Sequence, residues 1–189
     1  YSWFSELFTR YPFDAVNDRI QLPAAGGPID YGIYYDVEEY PDRCVVLDGE
    51  FLRKAYSPDF IIYHTMSPDY NGHKSGGESR EYETAVFYNG CLIADRIKGW
   101  LDDGYQLVVT GDHGMNRHGL HGGTDDAQRS APLYIISPKV VPGVHMVNAV
   151  PQEGIASLLC RLMGIRPAGS MINEDAVEFI DKTDKHGEE

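Results

Sequence analysis

The sequence has few cysteines, no long apolar run and an excess of acidic over basic residues. The three cysteines are Cys44, Cys91 and Cys160. Their number is odd, their spacing is not that of a structural zinc site and each lies in an apolar segment. We therefore expect core thiols rather than disulfides. No apolar run approaches the roughly 18 residues that a transmembrane helix requires, so no membrane span is expected. Without disulfides or a membrane span, we expect an ordinary hydrophobic core to stabilise the fold.

Basic residues are also scarce: 16 Lys and Arg stand against 29 Asp and Glu, which gives a formal charge of −13. Such a charge repels nucleic-acid backbones and anionic membranes, so neither is expected as the main partner. A small phosphorylated substrate is still compatible with this acidity, because bound cations would invert the local field. With 189 residues, the chain is one domain or part of a larger one.

One candidate site follows a run of β-formers at residues 105–110. The run leads into Gly111-Asp112-His113-Gly114, and an open α/β sheet presents ligands at such strand ends. Carboxylate oxygen and imidazole nitrogen together suit Zn²⁺ or a similar cation. The alternative is an Asp that caps the turn beside a hydrogen-bonded His.

A second cluster, Asp69 to His73, also follows a strand-like run, at residues 60–65. Both side chains can reach one ion if the intervening loop curls, and Gly72 supplies that freedom. Residues 80–103 form an amphipathic pattern that Gly104 ends, so strand, helix and strand predict a right-handed crossover between parallel strands. Both ligand loops would then open at one edge of the sheet and share one site.

These motifs together resemble a known family. Asp69-x-x-Gly72-His73, then Gly111 to Met115, then His121-Gly122-Gly123 before the strand-like run at 132–136 resemble the type I phosphodiesterase/nucleotide pyrophosphatase family of the alkaline phosphatase superfamily. The resemblance covers residues 59–138, with a weaker continuation to 171. It implies an α/β fold: part of an alkaline-phosphatase-like three-layer sandwich with a mostly parallel sheet.

The resemblance also implies two divalent cations, with Zn²⁺ as the expected metal. One would be held by Asp69, His73 and His121, and the other by Asp112 and His113 with a further Asp upstream. His121 is preferred over His118 because His-Gly precedes the 132–136 run at a suitable interval; His118 would then be a surface or supporting residue. His64 is expected to be a hydrogen-bonded core histidine and Thr124 a structural residue of a Gly-rich turn. Arg129 is expected to be a solvated loop residue, with a phosphate contact as the alternative.

The implied activity is hydrolysis of phosphodiester or nucleotide pyrophosphate bonds by a two-metal mechanism with a covalent intermediate. The substrate would be a small phosphorylated molecule, with nucleotides among the candidates. The alternatives are a related phosphomonoester or phosphonate hydrolase, and a non-catalytic fragment or structural module that binds at most one metal ion.

The organisation expected along the chain is that of the carboxy-terminal portion of one catalytic domain, because residues 1–8 already carry the apolar stripe of a helix. The first strands and the nucleophilic Thr or Ser are expected upstream, and the face that they would cover would allow a homodimer. Residues 11–41 are expected to be an irregular connection or cap, 59–172 the metal-site core and 173–189 a charged tail.

Three local features complete the expectations. Residues 44–47 fit either a short strand or the start of a helix. The Val-rich stretch at 140–150 suggests a short hairpin. Residues 152–163 show the spacing of an amphipathic helix that Gly164 ends. Earlier in the chain, Ser75 with Glu78 is one choice of cap for the helix expected from residue 80.

Overall fold

A computed structural model of the chain describes residues 1–8, 12–23, 28–143 and 149–171. These residues form two compact units, the first made of residues 1–96 with 115–128 and the second of residues 97–114 with those from 129 onward. The helices are α1 Ser2–Phe8, α2 Asp42–Tyr56, α3 Ser67–Ser75, α4 Arg80–Asp102, α5 Asp126–Arg129 and α6 Ile155–Met163. The strands are β1 Ile20–Gln21, β2 Gly32–Ile33, β3 Leu107–Thr110 and β4 Leu133–Ile136.

The helices expected from apolar periodicity are confirmed. Residues 44–47 belong to α2, so the helical alternative is the correct one. Helix α4 is capped by Ser79, whose Oγ accepts a hydrogen bond from the amide of Tyr82 at 3.1 Å; Ser75, the other candidate, is instead the last residue of α3. Gly164, at φ 73°, ends α6 in the left-handed conformation that favours glycine.

The strand expected at residues 60–65 is not observed. This segment has no regular secondary structure and pairs with no strand among the described residues. Side chains hold it instead: the Tyr35 hydroxyl donates to the carbonyl of His64 at 2.7 Å, and the Asn89 amide donates to Thr65 Oγ1 at 2.6 Å. The prediction was wrong because a β-rich apolar run becomes a strand only where a partner backbone is available.

The second unit is built on an antiparallel strand pair. Strands β3 and β4 pair with Leu107 opposite Ile136 and Thr110 opposite Leu133. Helix α6 supplies the buried side chains Leu158 and Leu162, against which Val108, Ile135, Val140, Val150 and Ile155 pack.

Both sheets found among the described residues are antiparallel pairs, β1 with β2 and β3 with β4. The described residues therefore support a mixed helix and strand fold without the mostly parallel sheet that was predicted. That prediction depended on the segment at 60–65 being a strand parallel to β3.

The first unit contains the expected amino-terminal helix α1 and the irregular stretch that was expected to be a connection. Part of that stretch is buried, since Tyr34 and Tyr35 follow β2 and are each 6% exposed. Val46, on α2, is buried as well. Residues 144–148 of the expected hairpin, and the expected tail at 173–189, lie outside the described residues.

The surface differs from the expectation in one respect. All three cysteines are free, as expected, but Cys91 is exposed and the other two are half-buried, so they are not core thiols. A number of large apolar side chains are exposed, including Phe60, Ile62 and Phe87. No helix in the described ranges is long and apolar enough to cross a membrane.

Candidate metal centre

Helix α3 carries two of the predicted ligands on one face. Asp69 and His73 are four residues apart, a spacing that places side chains one above the other on a helix. The distance between Asp69 Oδ1 and His73 Nε2 is 3.5 Å. The predicted curled loop is therefore a helix, whose first turn includes Pro68, a residue that favours helix starts.

His121 completes the cluster from the loop that precedes α5. Its Nε2 lies 3.2 Å from Nε2 of His73 and 3.9 Å from Oδ1 of Asp69. Across the described ranges, this is the one group of three or more His, Cys, Asp or Glu donors whose ligand atoms all lie within 4.8 Å of one another. The structure thus brings together the three residues that the resemblance assigns to one ion.

Glycines allow the loop to approach α3 this closely. Gly119 has φ 73°, and a Cβ at this position would lie 2.6 Å from the carbonyl oxygen of Gly72 and 2.9 Å from that of His73. A Cβ on Gly76 would likewise collide with the carbonyl oxygen of Arg117, and one on Gly77 with that of Met115. Because these obstacles are backbone atoms, no side-chain rotation would relieve the collisions.

The orientation of His73 is set by the same loop. Its Nδ1 lies 2.8 Å from the carbonyl oxygen of Gly119, and a carbonyl only accepts hydrogen bonds, so Nδ1 carries a proton. In the neutral ring, Nε2 is then an acceptor, and it lies beside Oδ1 of Asp69 and Nε2 of His121.

This arrangement fits a cation. Acceptor atoms of a carboxylate and an imidazole that face each other at 3.5 Å repel unless a proton or a metal ion lies between them. Ligand atoms at zinc-binding distances in a tetrahedral site are about 3.4 Å apart, which resembles the three separations in the cluster. The side chains of His73, His121 and Asp69 are 43%, 36% and 27% exposed, although Oδ1 of Asp69 itself is buried.

The loop that carries His121 is organised by two side chains that the motifs did not indicate. Oδ1 of Asn116 accepts hydrogen bonds from the amides of His118 and Leu120 at 2.9 and 3.0 Å. The buried Gln128 donates through Nε2 to the carbonyl of Leu120 at 3.2 Å. His118 is exposed and accepts from Nε of Arg117, so it stays outside the cluster.

Tyr82, in the first turn of α4, has a pKa that the charge of Asp69 affects. Burial raises the pKa of its phenol, and the nearby negative charge of Asp69 raises it further. The hydroxyl therefore stays protonated at neutral pH and keeps its capacity to donate a hydrogen bond.

Asp112 and His113 lie in the second unit, in the turn after β3. His113 Nε2 is 3.7 Å from Oδ2 of Asp112. Both side chains also bond locally: Oδ1 of Asp112 accepts from the amide of His113 at 3.1 Å, and Nδ1 of His113 contacts the carbonyl of Gly114 at 3.0 Å. Nε2 of Gln152 donates to the carbonyl of Asp112 at 2.6 Å, a support that the sequence did not indicate. Of the remaining candidates, Thr124 and Arg129 are exposed.

The sequence matches the type I phosphodiesterase/nucleotide pyrophosphatase family over residues 11–138. The chain therefore belongs to this family. Among curated proteins, it is similar to the mouse GPI ethanolamine phosphate transferase 3, catalytic subunit, with 33% identity over 110 residues, or 57% of this chain and 10% of the relative. The human protein of the same name is 32% identical over 125 residues, or 65% of this chain and 11% of the relative.

GPI ethanolamine phosphate transferase 2 of Yarrowia lipolytica is 38% identical over 81 residues, or 43% of this chain and 9% of the relative. The chain thus spans about a tenth of the length of these relatives. No solved structure gives a significant match. The description of the family and the names of the relatives both refer to phosphoester chemistry.

Proposed function

We propose that this chain supplies a divalent-cation site, made of Asp69, His73 and His121, to an enzyme that cleaves a phosphodiester. The observation that carries the proposal is the convergence of their ligand atoms within 4.8 Å. A cation at this position would polarise a phosphoryl oxygen and stabilise the charge that develops on the leaving oxygen. Zn²⁺ is the first metal to test, because two imidazoles and one carboxylate match its preferences.

Within this chain, the residues act by binding and orienting. His73 presents Nε2 because Gly119 accepts the proton of Nδ1, and the loop presents His121 because Gly119 docks against α3. The proposed set has three protein ligands, a number typical of catalytic rather than structural zinc. A phosphoryl oxygen would take the remaining position.

The bond cleaved is proposed from the relatives. Their names describe transfer of ethanolamine phosphate to GPI, so we propose this transfer as the first reaction to test. Hydrolysis of a phosphodiester or nucleotide pyrophosphate is the second, favoured by the description of the family. The assignment of Asp112 and His113 to a second ion, and of a nucleophile to another part of the protein, follows from the resemblance and stays a prediction.

Titration with Co²⁺, followed by its visible absorption, tests the cation site. The wild-type chain is expected to bind one ion at this cluster, and Asp69→Asn to weaken binding by at least about 100-fold, near 2.8 kcal/mol. The matched control is Asp125→Asn, which removes one exposed carboxylate from the loop that carries His121. Equal affinity in the two variants would contradict the proposal.

The reaction is tested separately with a labelled phosphodiester donor of ethanolamine phosphate, in the presence and absence of GPI. Label transferred to GPI supports the transferase, and label released into water supports the hydrolase. Turnover that is unchanged in Asp69→Asn would exclude this site as its source. Cation binding without turnover by this chain would agree both with a nucleophile in another part of the protein and with a non-catalytic cation-binding module.

A further inference from the structure

Asp42, the first residue of α2, lies outside the ligand cluster but contacts the helix that carries it. Its side chain is almost fully buried, with 2% exposure. Its Oδ1 accepts hydrogen bonds from the amides of Met66 at 3.0 Å and Ser67 at 3.1 Å. These amides lie at the beginning of α3, directly before the residues that form the cluster.

We infer that Asp42 is a positioning residue for the cation site: it holds the start of α3 so that Asp69 and His73 face one point. The inference rests on the proposed function, because positioning matters only if those residues bind an ion. In the metal-free chain, too, α3 would depend on a side chain from another helix.

Helix α3 needs this external cap. The first amides of a helix have no partner within it, and Met66, at its N-cap position, makes no side-chain hydrogen bond to them. Pro68 has no amide proton to satisfy. Asp42 therefore does for α3 what a local Ser, Thr or Asp does at most helix starts.

Charge reinforces the hydrogen bonds. A carboxylate is stabilised by the positive end of a helix dipole. Asp42 lies in the first turn of α2 as well as at the start of α3, so its charge interacts favourably with two helix N-termini. This double interaction explains how a carboxylate is tolerated at such a buried position.

The burial is nevertheless costly. In the part of the chain that the structure describes, Oδ2 of Asp42 is buried and has no hydrogen-bond partner, a state that proteins rarely tolerate without a compensating role. Val46, one turn later on α2, is equally buried at 2% exposure and is apolar. Packing alone would thus be satisfied by an apolar residue, whereas the contact with α3 requires an acceptor.

The position of Asp42 at the start of α3 allows it to influence the geometry of the cluster. Asp69 is the third residue of α3, and His73 follows one turn later. A start of α3 that frays would release Asp69 first and change its 3.5 Å separation from Nε2 of His73. The loop ligand His121 would then face only half of its partners.

The experiment compares Asp42→Ala and Asp42→Asn with two controls. Glu39→Gln removes an exposed carboxylate just before α2, and Val46→Ala weakens the packing of α2 without touching the cap. The first measurement is hydrogen exchange of the amides of Tyr70 and His73 in the metal-free chain. The amide of Tyr70 is informative because it forms the first hydrogen bond of α3, to the carbonyl of Met66. The second measurement is Co²⁺ affinity.

We expect Asp42→Ala to accelerate exchange of these amides by at least about tenfold and to weaken Co²⁺ binding by about 10- to 100-fold, as loss of an orienting contact does elsewhere. Asp42→Asn keeps an acceptor oxygen and should stay within about threefold of wild type in affinity. Both controls should bind Co²⁺ as the wild type does.

Three results would overturn the inference: unchanged exchange in Asp42→Ala, faster exchange with unchanged Co²⁺ affinity, or an equal loss of affinity in Val46→Ala. A wild-type chain that binds no Co²⁺ would instead overturn the proposed cation site. In that case exchange at α3 still decides whether Asp42 holds the helix.

Discussion

The two candidate motifs have similar composition but different surroundings. Asp69 and His73 lie on a helix to which a loop brings His121, and each pair of ligand atoms is within 4 Å. Asp112 and His113 are neighbours in a turn, and they form hydrogen bonds with the turn itself and with Gln152. A multidentate site therefore depends on long-range docking, whereas an Asp-His pair in a turn satisfies much of its polarity locally.

The largest effect is expected at the docking point. Gly119→Ala should weaken Co²⁺ binding by about 1,000-fold, near 4 kcal/mol, because a Cβ there meets two backbone carbonyls of α3. Gly122→Ala is the matched control: its φ of 78° is also left-handed, but nothing lies within 4 Å of the point that its Cβ would occupy. The measurement is Co²⁺ titration of both variants. Equal losses would mean that backbone strain, not docking, explains the effect.

The next effect separates two histidines of one loop. His121→Ala should weaken Co²⁺ binding by about 100-fold, because it removes one of three donors. His118→Ala should leave the affinity within about twofold, since His118 contacts Arg117 instead. A loss in the second variant as large as in the first would reverse the assignment that the motif spacing favours.

A smaller effect concerns the support of the segment before α3 and has a pH signature. Burial is the main cause that raises the pKa of Tyr35 above its usual 10.0, with nearby Asp42 adding to it. The pKa of Tyr35 is higher in the folded chain than in the unfolded chain. Its contribution to the free energy of unfolding is therefore fully present below pH 10 and is lost as pH rises through the folded pKa. Alkaline denaturation should therefore steepen above about pH 10.

Tyr35→Phe should lower the free energy of unfolding at neutral pH by about 1 kcal/mol through loss of the hydrogen bond to His64 and should reduce the slope above pH 10. Urea unfolding across this pH range measures both changes. Tyr134→Phe, at a side chain that is 62% exposed, is the control. A slope that Tyr35→Phe does not change would assign the alkaline loss to other tyrosines.

The smallest effect is expected in the second motif. Gln152→Ala should destabilise the turn by about 1 kcal/mol, because it removes the hydrogen bond to the carbonyl of Asp112. Amide exchange at His113 should accelerate, while Co²⁺ affinity at the three-donor cluster stays within about twofold. Glu153→Ala is the neighbouring exposed control. A large loss of affinity would show that the two motifs are energetically coupled.

The helices could be predicted wherever a continuous local pattern exists. Helix α4 follows from its apolar spacing and the glycine after it, and α6 from its stripe and Gly164. The segment at 60–65 and the parallel sheet could not, because a strand depends on a distant partner as much as on its own residues. Cys91 was misplaced for a related reason, since an apolar neighbourhood in sequence does not determine which face of α4 is buried.

The candidate site was predictable in composition but not in geometry. Motif order and spacing led to Asp69, His73 and His121, and the family match over residues 11–138 agrees with that resemblance. The helical form of α3, its external cap at Asp42 and the docking of Gly119 carry no comparable local signal. Asp42 and Ser67, for example, are 25 residues apart in sequence.

By itself, the sequence determined the family, the main helices and the chemical types of the candidate ligands, because motifs and periodicity are local properties of the chain. The tertiary structure alone decided which donors converge, which tautomer His73 presents and what holds α3 in place. The physical reason is that these features depend on contacts between distant residues, whose distances vary by a few ångströms with packing that no local pattern records.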